Sequence, residues 1–224
     1  MRDLTPTPSY DATRTRVAQY FDGTATRVWE RLTSDAPVSR IRQTVREGRD
    51  TMRAMMLAQL PADLHGARVL DAGCGTGAAS AELAARGADV TAIDISPKLV
   101  EIAASRLPQG LAGRVTFKSG DMLAADLGRF DHVLAMDSLI YYTRPDLEAA
   151  LDALSARAGQ ITFTVAPRTP LLMAMFNAGK MFPRADRSPS MIPQDHRQIR
   201  VPGLMRVGRV SRGFYISECL KVQP

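Results

Sequence analysis

The feature that most constrains this chain is Val69-Leu70-Asp71-Ala72-Gly73-Cys74-Gly75-Thr76-Gly77, a short apolar run with an acid, then three glycines at alternate positions. Residues of this kind leave a buried strand. The glycines let the backbone turn sharply into a helix and let a ligand approach with no Cβ in the way. A second strand signal, Val90–Asp94, ends in an acid 21 residues after Gly73. That spacing puts a carboxylate at the carboxyl end of the neighbouring strand, where it accepts both ribose hydroxyls of an adenosine ligand. Gly120-Asp121-Met122 adds a third acid beside an apolar side chain, suited to an adenine amino group and ring face. Residues 73–78 also satisfy the dinucleotide fingerprint in its Gly/Ala form, so nicotinamide or flavin chemistry and simple binding stay open on pattern alone.

The rest of the chain says what receives that turn. From Thr13 to Leu32, Val17, Tyr20, Phe21, Val28, Trp29 and Leu32 recur at helical spacing, interrupted at Gly23. Val38 to Leu60 carries a second helical pattern. Residues 1–60 therefore read as a helical extension covering the site, with the polar, proline-bearing stretch 1–12 expected to stay loose. Beyond residue 61, strand signals at Arg68–Asp71, Asp89–Asp94, Arg114–Lys118, Phe130–Met136 and Gln160–Val165 alternate with helical segments. Such alternation implies a parallel sheet covered on both faces. Leu204–Val210 and Phe214–Val222 meet at Ser211-Arg212-Gly213, short enough for an antiparallel hairpin. The expected fold is α/β: a doubly wound, mostly parallel seven-stranded Rossmann-like sheet with a helical N-terminal extension and a C-terminal antiparallel hairpin. Residues 61–224 form the ligand-binding domain, with 167–203 a substrate-side insertion. The helical prelude, the closing hairpin and Asp71, poised two residues before the first glycine to reach a ligand ammonium, favour S-adenosylmethionine over a dinucleotide.

Composition removes other classes. With 45% hydrophobic and 23% charged residues, the 224-residue chain can bury a core. Cys74 and Cys219 are too few for a disulfide scaffold or a four-thiolate metal site. No apolar run reaches the ~18–20 residues of a membrane helix, and the N-terminus has no signal-peptide apolar region, so a cytoplasmic location is expected. The net charge of +6 is uneven: residues 184–224 hold eight basic and three acidic side chains, a net of +5. That tail prompts RNA or an anionic membrane as partners. RNA fits poorly, because Asp137-Ser138-Leu139-Ile140 stands where amino-methylating nucleic-acid enzymes carry an Asn/Asp-Pro-Pro-aromatic motif. Clustered aromatics on a basic face are missing too, so no nucleic acid is expected.

Further segments narrow the reading. The glycine motif with Asp94 resembles the class I S-adenosylmethionine-dependent methyltransferases. Tyr20-Phe21-Asp22-Gly23-Thr24 with Trp29, Met136-Asp137-Ser138-Leu139-Ile140-Tyr141-Tyr142, Thr164–Pro170 and Arg212-Gly213-Phe214-Tyr215 resemble the magnesium-protoporphyrin IX O-methyltransferases, over about residues 15–222. The chain departs from that family at Tyr141, where histidine is frequent, and in a shorter stretch between Pro183 and Leu204.

The resemblance implies methyl transfer from S-adenosylmethionine, leaving S-adenosylhomocysteine, to a propionate of Mg-protoporphyrin IX in (bacterio)chlorophyll synthesis. Magnesium enters only as part of the porphyrin. It implies a cofactor site of Asp71, Gly73, Cys74, Gly75, Gly77, Asp94, Ile95, Asp121, Met122, Met136 and Asp137. Tyr20 and Tyr141 are the catalytic candidates, and Tyr20, Tyr142 and His196 the substrate-binding ones. It also implies handover from the porphyrin-carrying subunit of magnesium chelatase and a place beside a photosynthetic membrane. A propionate is already ionised at pH 7, so no strong general base is required. Blander roles compete. Tyr20 and Phe21 also suit the core of an amphipathic helix, and Met52, Met55 and Met56 suit core as well as a porphyrin wall. Leu171, Leu172, Met173, Met175 and Phe176 could extend such a wall. Arg168, Arg184 and Arg187 could pair with the unmethylated propionate or simply be solvated. Another small-molecule or RNA methyltransferase, or a non-catalytic S-adenosylmethionine-binding scaffold, is the alternative function.

Overall fold

The computed structural model describes residues 7–23, 26, 29–30, 33, 37–170, 172–174 and 189–223. Leu171, Met175, Phe176, Arg184 and Arg187 lie outside them. Helix α1 spans Pro8–Asp22 and α2 spans Arg40–Leu57. The sheet and its crossovers then follow as β1 Arg68–Ala72, α3 Ala78–Ala85, β2 Asp89–Asp94, α4 Pro97–Arg106, β3 Arg114–Ser119, β4 Phe130–Ala135, α5 Arg144–Ser155 and β5 Ala158–Val165. Strands β6, Leu204–Arg212, and β7, Tyr215–Val222, close the chain.

The seven strands lie in the order β3-β2-β1-β4-β5-β7-β6. The first five are parallel, β7 is antiparallel to β5, and β6 is antiparallel to β7. The strand order reverses between β1 and β4, which opens a crevice at their carboxyl ends. The expected fold class is therefore the observed one.

Burial explains the layers. Leu147, Leu151 and Leu154 of α5 pack on one sheet face with Val133, Phe163 and Leu220. Met52, Met56 and Leu57 of α2 pack on the other with Val69, Leu83 and Cys219. Met52 and Met56 are fully buried there, so these methionines serve as core. A third cluster joins Val17 and Phe21 of α1 to Leu99, Ile140 and Tyr141. No helix among the described residues is long and apolar enough to cross a membrane.

One expectation fails at the N-terminus. Residues 8–12 are the first turns of α1, not a loose segment. Thr7 caps the helix by accepting from the Tyr10 N–H at 3.1 Å, and Pro8 stands in the first turn, where its fixed φ suits the helix. The Thr7 and Ser9 hydroxyls also donate to Asp146 on α5, at 2.5 and 2.6 Å. Pro8, expected in a loose stretch, is part of a start signal, and Pro6 lies outside the described residues.

Candidate active site

At the carboxyl ends of the central strands lies a cavity of about 360 Å³, walled by the glycine turn, the ends of β2, β3 and β4, and residues of α1 and α2. The three glycines of the turn have φ of 85, 54 and 83°, the left-handed region that glycine enters freely. They do different work. A Cβ on Gly73 would lie 2.4 Å from the Ser138 Cβ, and one on Gly77 2.9 Å from the Ala103 Cβ, so these two serve close packing. A Cβ on Gly75 would meet nothing within 4 Å. Its open face belongs to the cavity, as an adenosine-type ligand needs.

The acids converge as the spacing implied. Asp94 is 8% exposed, accepts the Gly75 N–H at 2.8 Å on Oδ2 and the Ser96 N–H at 3.0 Å on Oδ1. Burial raises its pKa, against the lowering effect of those N–H donors. Asp71 is 2% exposed, accepts the Ser80 hydroxyl at 2.6 Å, and burial pushes its carboxyl up to about 6. Asp121 accepts the Tyr10 hydroxyl at 2.8 Å and the Arg14 guanidinium at 2.5 Å. Burial also holds the Cys74 thiol well above its ordinary range, so it stays protonated.

Gly73, Cys74, Gly75, Ile95, Met122, Met136, Asp137, Tyr141 and Tyr142 line the same cavity. The two tyrosines face different neighbours. Tyr142 stacks on Tyr10 with ring centroids 4.7 Å apart, beside Asp121, and burial pushes its phenol up to about 12. The Tyr141 phenol, 6% exposed, is raised by burial first and then by Asp137, with Arg49 opposing. Asp137 has φ 55°, the one positive φ outside glycine among the described residues.

Three candidates lie off the cavity wall. Gly77 packs α3 against α4, as described. Tyr20 is half-buried, its ring 5.1 Å edge-on from Phe21, and contributes to the electrostatics of Tyr141. His196 is held by the buried Glu218 at 3.0 Å, together with Arg206 at 2.6 Å and Arg209 at 3.2 Å. Its Nδ1 is engaged by that carboxylate, and the residue stands outside the cavity lining. Among the cavity-lining residues that sequence reasoning missed are Tyr10, Arg14 and Arg49. Tyr10 and Arg14 became visible only once Thr7-Pro8 was read as a cap; Arg49 had no motif to mark it.

Comparison with known proteins follows the same line. Residues 135–224 match the family model described as magnesium-protoporphyrin IX methyltransferase C-terminus, and residues 69–158 match a methyltransferase domain. The chain is 58% identical over 220 residues to a magnesium-protoporphyrin O-methyltransferase of Rhodobacter capsulatus, covering 96% of this chain and 98% of that one. It is 32% identical to the Synechocystis enzyme of the same name, covering 93% and 95%. The crystal structure of the Synechocystis magnesium protoporphyrin IX methyltransferase with bound S-adenosylhomocysteine superposes with a TM-score of 0.76 at 29% identity, over 93% of this chain and 98% of that one.

Proposed function

This chain belongs to the magnesium-protoporphyrin O-methyltransferase family, and we infer from that premise how its cavity carries out the reaction. The enzyme transfers a methyl group from S-adenosylmethionine to a propionate carboxylate of Mg-protoporphyrin IX, giving the monomethyl ester and S-adenosylhomocysteine in (bacterio)chlorophyll synthesis. The observation that carries the site assignment is the convergence of Asp71, Asp94 and Asp121 on one cavity beside the open face of Gly75. Asp94 takes the ribose hydroxyls, Asp71 the ammonium group, and Asp121 with Met122 the adenine. Ile95 and Met136 cover the ring and sulfur, and Gly73, Cys74 and Gly75 supply backbone. When bound, the cofactor supplies an electrophilic methyl on its sulfonium.

What remains for the protein is positioning. A carboxylate is ionised near neutral pH, so the site needs no base to activate it. No buried phenol or thiol here is poised to act as one: burial raises Tyr141, Tyr142 and Cys74 alike. Between the two tyrosines, Tyr141 is the better substrate contact, since Tyr142 is engaged with Tyr10 and Asp121 at the adenine end. We also take the porphyrin-carrying chelatase subunit as donor and an anionic membrane as a peripheral contact. The +5 tail and exposed Phe214 and Ile41 support the second.

The direct test is incubation with methyl-labelled S-adenosylmethionine and Mg-protoporphyrin IX, metal-free protoporphyrin or an RNA pool. Label is expected in an alkali-labile ester of the magnesium porphyrin. Label in RNA, or none in either porphyrin, would refute the reading.

Asp71 adds a pH prediction. Its folded pKa of about 6 lies above the ordinary value near 4. Between those values the folded chain holds a proton that the unfolded chain has released. Stability from this group therefore falls as pH rises through that window, by up to ~3 kcal/mol, and is flat above it. Cofactor affinity runs the other way, because an ammonium group needs the carboxylate. S-adenosylhomocysteine should bind about tenfold more weakly at pH 5 than at pH 7, and Asp71→Asn should flatten the profile. Equal wild-type affinity at both pH values by calorimetry would exclude Asp71 from ammonium recognition.

A further inference from the structure

We propose that Arg49 anchors the propionate that is not methylated. The proposal rests on the reading of the cavity as a Mg-protoporphyrin site. That substrate brings two carboxylates, and the reaction removes the charge of one. The reacting oxygen must keep a lone pair available, and a guanidinium clamped on it would hold that electron density back. The second carboxylate enters the same partly dry cleft unchanged, and there it needs a cation.

Four arginines line the cavity: Arg14, Arg46, Arg49 and Arg53. Arg14 is held at the adenine end by Asp121, 2.5 Å away. Arg53 lies between Asp50 at 2.9 Å and Glu82 at 2.5 Å. Arg49 also has a carboxylate partner, but it is near enough to Tyr141 for its charge to act on that phenol, and its position is built by several elements. Its Nη1 donates to Asp137 Oδ2 at 2.5 Å, and its guanidinium lies 4.6 Å over the Trp29 ring.

Asp137 in turn is fixed. The Tyr215 hydroxyl donates to it at 3.1 Å and the Thr164 hydroxyl at 3.1 Å, while its own N–H donates to Thr164 Oγ1 at 2.7 Å. These contacts hold it at φ 55°, a strained value of the kind that clusters at ligand clamps. Gly48 completes the arrangement: a Cβ there would lie 2.7 Å from the Tyr215 ring, so only glycine lets α2 come this close. A guanidinium carries five N–H donors in a planar fork, and the bond to Asp137 uses one edge position. Asp137 thus orients the fork, and the donors it does not use present a second carboxylate site. Arg49 is a binding residue in this role; Asp137, Tyr215 and Gly48 position it.

The test uses three ligands that differ only in carboxylate count: Mg-protoporphyrin IX, its monomethyl ester and its dimethyl ester. Each is titrated by fluorescence against wild type, Arg49→Gln and Arg49→Lys, with S-adenosylhomocysteine present. In Arg49→Gln, the diacid and the monoester should both bind about 10- to 100-fold more weakly, the usual worth of a charged hydrogen-bonded pair. The dimethyl ester and S-adenosylhomocysteine should bind as to wild type. Arg49→Lys, which keeps the charge without the fork, should lose less on the first two ligands. It decides the matter if Arg49→Gln does not fold.

Loss on the diacid alone would assign Arg49 to the reacting propionate and overturn the proposal. Equal loss on all three ligands would overturn it too, leaving Arg49 a structural partner of Asp137. A wild-type chain that binds none of the three would remove the porphyrin reading itself.

Discussion

Asp94→Ala is expected to weaken S-adenosylmethionine binding by about 10- to 150-fold, the range for hydrogen bonds to a charged group. Two losses combine. The carboxylate accepts the Gly75 N–H at 2.8 Å and the Ser96 N–H at 3.0 Å, one on each oxygen. Each oxygen keeps a further lone pair, so the same group can fix the glycine turn and accept two ribose hydroxyls. Alanine removes the acceptor from both tasks and leaves two N–H groups near the cavity without it. Asp94→Asn separates them, because one amide oxygen can serve only one of the two N–H donors while the NH₂ opposes the other. It should bind the cofactor better than Asp94→Ala and worse than wild type. Calorimetry showing unchanged affinity in Asp94→Ala would refute the ribose assignment.

The geometry proposed to hold the cofactor was legible because it is local in sequence. Asp71, the glycine turn and Asp94 sit at strand ends, and strand ends fall where apolar runs stop. Parallel pairing of β1 with β2 then sets Asp94 beside the turn without any tertiary detail. The sheet class and the closing hairpin followed from the same periodicity. The proposed substrate half was not legible in this way. Arg49 reaches Asp137 across 88 residues, through the packing of α2 on the β6–β7 hairpin. Nothing in an amphipathic helix says which arginine faces a cavity. Tyr10 failed for a different reason: Pro6 and Pro8 suggested a loose end, while Thr7-Pro8 is a cap. The partner of His196 was hidden as well, because a basic loop gives no hint of a buried carboxylate, and Glu218 on β7 is that partner. Tyr141 and Tyr142, adjacent in sequence, were separated only by their neighbours in space.

Tyr141→Phe is expected to lower turnover by about 10- to 100-fold while cofactor affinity stays within a factor of two, as for a lost hydrogen bond to a charged group. The phenol is almost fully buried on the cavity wall, and burial keeps it protonated throughout the neutral range. It can therefore donate to a propionate oxygen or place its own oxygen toward magnesium, but it cannot serve as a base. The rate should accordingly be flat from about pH 7 to 9 and fall only as Asp71 protonates near 6. Tyr20→Phe provides the comparison. Its ring packs on Phe21 beside the wall rather than on it, and phenylalanine preserves that contact. If the Tyr20 hydroxyl acts with that of Tyr141 on the carboxylate, turnover falls in both variants, less in Tyr20→Phe, and the double variant loses less than the product of the two. Independent losses would mean that the phenols contact different parts of the substrate. Normal turnover in Tyr141→Phe with a large loss in Tyr20→Phe would overturn the assignment. Helix α1 would then have to move to bring Tyr20 onto the substrate, and the phenol that matters would be the one carried by the covering helix rather than by the strand end.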